Sequence, residues 1–316
     1  MHIEIEEELI ELILQAGRGA LEVCFYTLLP IMVVMTILLR VLEVTGLLEW
    51  TIRGLTPIAR PFGLTGLGVL AMFQVSFVSF FAPLPTLALM ERRGASDRHL
   101  AAAMAGSLSM APANVLFPMA AMGLDVATTL TIAVVGGLVA ASCTYWLFGG
   151  RLSNVSESNA GQDREETSRS SLLKIINTSG SEAVHMVLNV IPMLLISIVV
   201  VLLLQKIGVT EALENLLAPA LTSIGIAPGL VLPSLGKYVG GVSAFLGIAH
   251  DAASKGKLEP ALISLGSAGF LLHPLDLPGV AVMLSAGPRL AKNAMPGIIG
   301  GCIGITVRTL LGIWVG

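Results

Sequence analysis

Lys237 and Asp276 sit in otherwise apolar stretches of this chain, and they are residue types that hydrocarbon tolerates poorly. Asp276 lies in "FLLHPLDLPG", residues 270 to 279, with His273, Pro274 and Pro278 around it. Lys237 lies in "LPSLGKYVGG", beside Tyr238, Gly240 and Gly241 and just before Ser243. A carboxylate facing lipid near the bilayer centre costs about 2.5–3.5 kcal/mol on an insertion scale, so Asp276 is expected to face inward with a partner. The ammonium needs a carboxylate, carbonyls or a bound anion, unless its apolar stem carries it to an interface. Proline removes a helical hydrogen bond, and broken backbone within a membrane is tolerated where protein buries it or it lines a cavity. Both stretches are therefore expected to be broken helices. Their polar groups then form either an ion pair that locks the structure or a site for a solute or ion. His273, a lone histidine beside proline, is compatible with a satisfied structural role and with ligand binding.

Composition sets the solvent. Of 316 residues, 54% are hydrophobic and 12% are charged, against roughly a quarter charged in soluble chains. Several windows are apolar over about 20 residues, the length needed to cross the hydrocarbon core. The lipid bilayer is thus the first partner, and an all-α, multi-pass membrane protein is expected. A net charge of −3 offers no basic footprint for nucleic acid. The start, "MHIEIEEELIELILQAGRG", places apolar residues at helical spacing among five glutamates. Residues 1–19 read as an interfacial amphipathic helix, because a secretory signal would begin with a basic region. Cys24, Cys143 and Cys302 are far apart in apolar segments and read as packed thiols, with no metal or disulfide role.

The chain is written twice. A polar stretch, "GRLSNVSESNAGQDREETSRSSLLK", opens a solvated linker over residues 150–180. It separates a first membrane repeat, 20–149, from a second, 181–316. At an offset of 162, Pro30 falls on Pro192, Gly46 on Gly208, Glu49 on Glu211, Pro57 on Pro219, Gly63 on Gly225, Gly94 on Gly256 and Pro112 on Pro274. Matches concentrated in Gly and Pro indicate a shared backbone plan. After a small slip, Gly136 and Gly137 align with Gly300 and Gly301. Each half reads as a spanning helix, an interfacial helix, a segment broken by small residues and prolines, a second broken segment, and a closing helix. If the first broken segment is a hairpin, each half crosses three times and the repeats are inverted. Eleven Lys and Arg residues then fall on the linker side and four on the other, which puts the linker in the cytoplasm by the positive-inside rule. If residues 64–90 and 228–250 span fully, the halves are parallel and the count becomes ten against five. The breaks "APLP" and "GKYVGG" favour the hairpins.

The first half carries weaker polar chemistry at the same places. Asn114 in "MAPANVLFP" corresponds to Asp276, and Ala111 to His273. "FQVSFVSF" supplies Gln74, Ser76 and Ser79, and Ser109 precedes the second break. These side chains serve either as interhelical hydrogen-bond partners or, with the second-half residues, as one midplane site of the kind inverted-repeat carriers build. HExxH, GxSxG and GxxxxGK[ST] patterns are absent from the sequence, so neither an enzyme nor a nucleotide hydrolase is expected.

The stretches "LLPIMVVMTILLRVLEVTGLLEW", "LAPALTSIGIAPGLVLPSLGKYVGGVSAFLG" and "SLSMAPANVLFPMAAMG" resemble the nucleoside recognition Gate domain family. That family includes spore maturation proteins A and B, the membrane part of ferrous-iron transport protein B, and the core of concentrative nucleoside transporters. The likeness covers most of residues 20–150 and 180–316. It implies a transport core with solute and ion at the hairpin tips, by position Gln74 to Ser79 and Lys237 to Ser243. The tips hold no acidic residue where nucleoside carriers place a Gln/Glu pair, and Lys237 stands in the second, which leaves room for an anionic solute. The resemblance thus leads us to expect a secondary transporter of a bacterial-type inner membrane that moves a small polar solute, nucleoside-like or anionic, by alternating access. No cofactor is expected beyond Na⁺ or H⁺ as coupling ion. The spore-maturation likeness leaves open a non-transporting assembly or signalling subunit, and a homo-oligomer or a membrane partner subunit is compatible with either.

Overall fold

The computed structural model describes residues 2–30, 45–154, 172–209, 227–254, 260–284 and 286–316, with single positions between them. The described residues are helical throughout, with no strand. Ten residues between 31 and 44 of the first spanning helix expected at 21–47, most of the interfacial segment at 210–226 and the linker from 155 to 171 lie outside the described residues.

Helix α1 (His2–Glu22) runs into a π-helical turn, Val23–Leu28, without a break at residue 19. Leu12, Ala16, Ala20 and Cys24 are buried, and their four-residue spacing places them on one face. That face packs on the rest of the molecule, α1 lying against α8 (Leu172–Lys206). The amphipathic start is therefore a packed helix as well as an acidic one.

Helix α2 (Leu47–Ala59) begins after Gly46 at φ 73° and runs into a 3-10 turn, Arg60–Phe62, that ends at Gly63, φ 75°. A side chain at Gly63 would overlap the Tyr145 ring, so both the φ and the close approach require glycine there. The chain then bends by 98° into α3 (Gly66–Phe77), whose first turn is capped by Thr65 Oγ1 accepting from Gly68 N at 3.2 Å. Residues 78–83 separate α3 from α4 (Leu84–Arg92). In the second half α9 (Val231–Gly240) stops at Gly241, φ 85°, and α10 (Val242–Ser254) follows. At 1.5 Å per residue these four pieces are about 14–20 Å long, well short of the roughly 30 Å hydrocarbon core. Each pair packs on itself. Both first broken segments are helix–break–helix units.

The second broken segments are built differently. Helix α5 (Asp97–Ser109) leads through extended residues Met110 and Pro112 into α6 (Ala113–Ala121). Pro112 has no N–H and holds the residue before it out of the α region. The stretch Asp97–Ala121 is apolar enough to span, yet its most apolar 18 residues are 94% buried inside the protein. It is the central element. In the second half α11 (Leu265–Leu271) and α12 (Leu277–Leu284) flank the break at Leu272 to Asp276. A short helix, α13 (Pro288–Lys292), follows.

The closing helices α7 (Val126–Cys143) and α14 (Ala294–Val315) are apolar enough to cross a membrane and bury one side each. Their seam is made of small residues. A Cβ on Gly136 would lie 2.8 Å from Gly304 O, and one on Gly300 would lie 2.8 Å from Ala140 O. Thr144 Oγ1 donates to Pro296 O at 3.3 Å. Positions 136, 140 and 144 thus meet 304, 300 and 296 in falling order, so α7 and α14 are antiparallel. Ala101, Ala105 and Ser109 meet Gly297, Gly301 and Gly304 in rising order, so α5 and α14 are parallel. Gly266 meets Ile313, and Gly269 meets Thr309, so α11 is antiparallel to α14 and hence to α5.

Candidate functional site

The second-half break is assembled by the backbone groups that its prolines leave unpaired. A continued helix would bond Phe270 O to the amide of residue 274, but Pro274 has none. The freed carbonyl accepts from Tyr238 Oη at 2.9 Å and from His273 Nε2 at 2.8 Å. His273 Nδ1 in turn accepts from Leu275 N at 3.1 Å. These partners assign the proton to Nε2 and leave a neutral, fully engaged imidazole. His273 here repairs the kink that Pro274 makes.

Asp276 turns its own N–H to Pro274 O at 3.0 Å and caps α12, Oδ1 accepting from Gly279 N at 2.7 Å. Val242 N, the first amide of α10, also donates to this carboxylate. One aspartate therefore faces the amino ends of two helices, each equivalent to roughly half a positive charge. The remaining oxygen, Oδ2, accepts from Lys237 Nζ at 2.7 Å, with side-chain exposures of 0% for the lysine and 1% for the aspartate. Lys237 occupies the last turn of α9, where the helix dipole favours a cation. Its Nζ also lies 4.9 Å from the centre of the Tyr238 ring. Lys237 does not reach an interface. Lys237, Tyr238, His273 and Asp276 form a single connected cluster.

Ser109 is tied to the second-half break through a residue the sequence reading did not select. Arg308 of α14 is fully buried. Its guanidinium donates to Ser109 O, to Ala268 O at 3.3 Å and to Leu272 O at 3.0 Å, while Ser109 Oγ donates to Gly301 O at 3.2 Å. The signal was present in the sequence: an arginine in a glycine-rich apolar helix carries the same desolvation problem as Lys237.

Of the other first-half candidates, Ser76, Ser79 and Asn114 are buried and Gln74 is half-buried. Gln74 Oε1 accepts from Thr86 Oγ1 at 2.7 Å, a contact between the two arms of the first hairpin. Helix α3 runs alongside α5, with Gly68 against Ala103 and Met72 against Gly106. This brings Ser76 level with the break at Met110 to Pro112, where the end of α3 meets α6. Ser76 Oγ and Asn114 Oδ1 are buried without a hydrogen-bond partner among the described residues. Ser79 is buried at the tip. Ser243 lies in α10, with its side chain outside the described residues. Among the described residues, no group of three His, Cys, Asp or Glu side chains is placed to hold a metal.

Residues 25–141 match the family model described as Gate, nucleoside recognition. This part of the chain is similar to a Gate domain. The matched stretch holds Gln74, Ser76, Ser79, Ser109 and Asn114, and the Lys237 cluster lies beyond it. Solved structures of the concentrative nucleoside transporter CNTnw share the fold. Its inward-facing, substrate-bound state superimposes with a TM-score of 0.68 at 16% identity, covering 99% of this chain and 85% of that one. A variant in an outward-facing state gives the same values, and a variant in an intermediate state gives 0.62 at 18% identity over 99% and 86%. At such identities the likeness is one of fold. No curated protein matches the sequence. The chain is a multi-pass helical membrane protein.

Proposed function

We propose that the chain is a secondary transporter that moves a small polar solute across a bacterial-type inner membrane by alternating access, driven by Na⁺ or H⁺. One observation carries this reading. Two breaks in buried helices place an ion pair, a second buried cation and unpartnered oxygens inside a helical membrane protein, at positions that lipid cannot solvate. A fold shared over 99% of the chain with a protein solved in inward- and outward-facing states supports it. The antiparallel run of α7 against α14, and of α5 against α11, supports inverted halves. The unpartnered Ser76 Oγ and Asn114 Oδ1 fit a solute with hydrogen-bond donors, as a nucleoside-like molecule has.

The test is uptake into proteoliposomes of nucleosides, nucleobases, organic anions and amino acids under imposed Na⁺ or proton gradients, alongside melting of the detergent-purified protein with each solute. Gradient-driven uptake that fails in Asn114→Ala, with the variant still folded, supports transport. A folded protein that neither binds nor moves any member of the panel instead favours an assembly or signalling subunit.

A further inference from the structure

Arg308 is paired with no carboxylate among the described residues. The aspartate of the cluster, Asp276, is engaged by Lys237, Gly279 N and Val242 N. A fully buried guanidinium is nonetheless held, and its hydrogen-bond partners among the described residues are three backbone carbonyls. Ala268 O already accepts from Leu272 N and takes Arg308 as a second donor, whereas the other two carbonyls are freed by the breaks. Ser109 ends α5 at the first-half break, where the turn at Met110 to Pro112 takes away the next helical amide. Leu272 would bond the amide of Asp276 in a continued helix, but that amide has turned to Pro274 O. The carboxyl ends of two broken helices, one from each half, therefore converge on one point. Each carries the equivalent of roughly half a negative charge. Together they amount to about one unit, the charge that Arg308 supplies.

We propose that the two breaks enclose a carbonyl-lined site for a monovalent cation, and that Arg308 occupies it permanently. A residue of α14 thereby does what a dissociable ion would otherwise have to do, joining the first-half break to the second. Glycines fit the arrangement. A Cβ on Gly269 would lie 2.5 Å from Thr309 Cα, and one on Gly136 would overlap the Arg308 stem, so the helices close around the guanidinium. Arg308 is a positioning residue, and its role does not depend on the chain being a transporter.

The experiment is chemical rescue of the full-length, detergent-purified protein. Arg308→Ala should melt below the wild type. Guanidinium chloride at low millimolar concentration should raise its melting point by about 2–4 °C, increasingly with concentration, while leaving the wild type unmoved. Sodium and potassium, compared with N-methylglucamine, show whether a metal ion also fits. A folded Arg308→Ala that responds to no cation overturns the proposal. If that variant does not fold, Arg308→Lys and Arg308→Met decide. The charged side chain should give several-fold more folded protein in the membrane than the isosteric apolar one, and equal yields of the two, high or low, overturn the proposal.

Discussion

Lys237 Nζ and Asp276 Oδ2 lie 2.7 Å apart with neither side chain touching solvent. Such a pair draws little net stability from its own attraction, but removing one partner strands the other charge at a cost of about 3–5 kcal/mol. Asp276→Asn keeps an oxygen for the Gly279 amide and isolates the lysine. Lys237→Met isolates the aspartate. Each should lower the melting temperature strongly, and the double variant should recover most of the loss. Additive losses in this cycle would show that the two residues act separately.

The seam between α7 and α14 leaves no room for a methyl group. A Cβ on Gly300 would overlap Thr144 Oγ1 and lie 2.8 Å from Ala140 O, whereas one on Gly150 meets nothing within 4 Å. Overpacking of this kind costs about 1–3 kcal/mol. Gly300→Ala should therefore fall clearly below the wild type in a thermal melt, while Gly150→Ala stays with it. Equal melting points for the two would mean that the helices separate more easily than their contacts indicate.

Legibility in the sequence followed the rarity of each residue in its surroundings. The breaks were visible because Pro112, Pro274 and Gly241 interrupt apolar runs, and proline and glycine act on the backbone whatever surrounds them. Lys237 and Asp276 were visible as charges in hydrocarbon, and an ion pair was one of the readings open to them. Arg308 meets the same criterion, but no charged partner in the sequence points to it, because its partners are carbonyls. A carbonyl has no letter in the sequence, and its freedom depends on a break some forty residues away in one case and two hundred in the other. His273 was ambiguous for a related reason, since the unpaired Phe270 carbonyl that it serves is a consequence of Pro274. The packing of α1 was also hidden, because a face of Leu12, Ala16, Ala20 and Cys24 reads equally well against lipid or protein.

Asp125 sits just ahead of α7, outside the spanning stretch, and caps it through Thr128 N at 3.2 Å and Thr128 Oγ1. Those hydrogen bonds hold its carboxyl below the ordinary carboxylate range. A depressed folded-state pKa contributes stability that is present above the unfolded value and lost as pH falls through the folded one. Asparagine caps a helix nearly as well but does not titrate. The stability difference between wild type and Asp125→Asn should therefore shrink as the pH is lowered from neutral into the carboxylate range. A difference that stays constant would remove Asp125 from the acid response.

The depth of the hairpins and the relation between the halves can be read from the two sides of a sealed membrane. Arg60 and Arg93 are exposed residues at the entry and exit of the first hairpin, and Asp251 is exposed near the far end of α10. Single cysteines at these positions, with Cys24, Cys143 and Cys302 replaced by alanine, can be labelled with an impermeant maleimide in vesicles of known orientation. Pieces of about 14–20 Å cannot cross the membrane singly, so Arg60→Cys and Arg93→Cys should react from the same face. Inverted halves place Asp251→Cys on the opposite face, because the second hairpin then opens the other way. Labelling of the first two from opposite faces would make residues 64–90 a full crossing. Labelling of all three from one face would keep the hairpins and make the halves parallel.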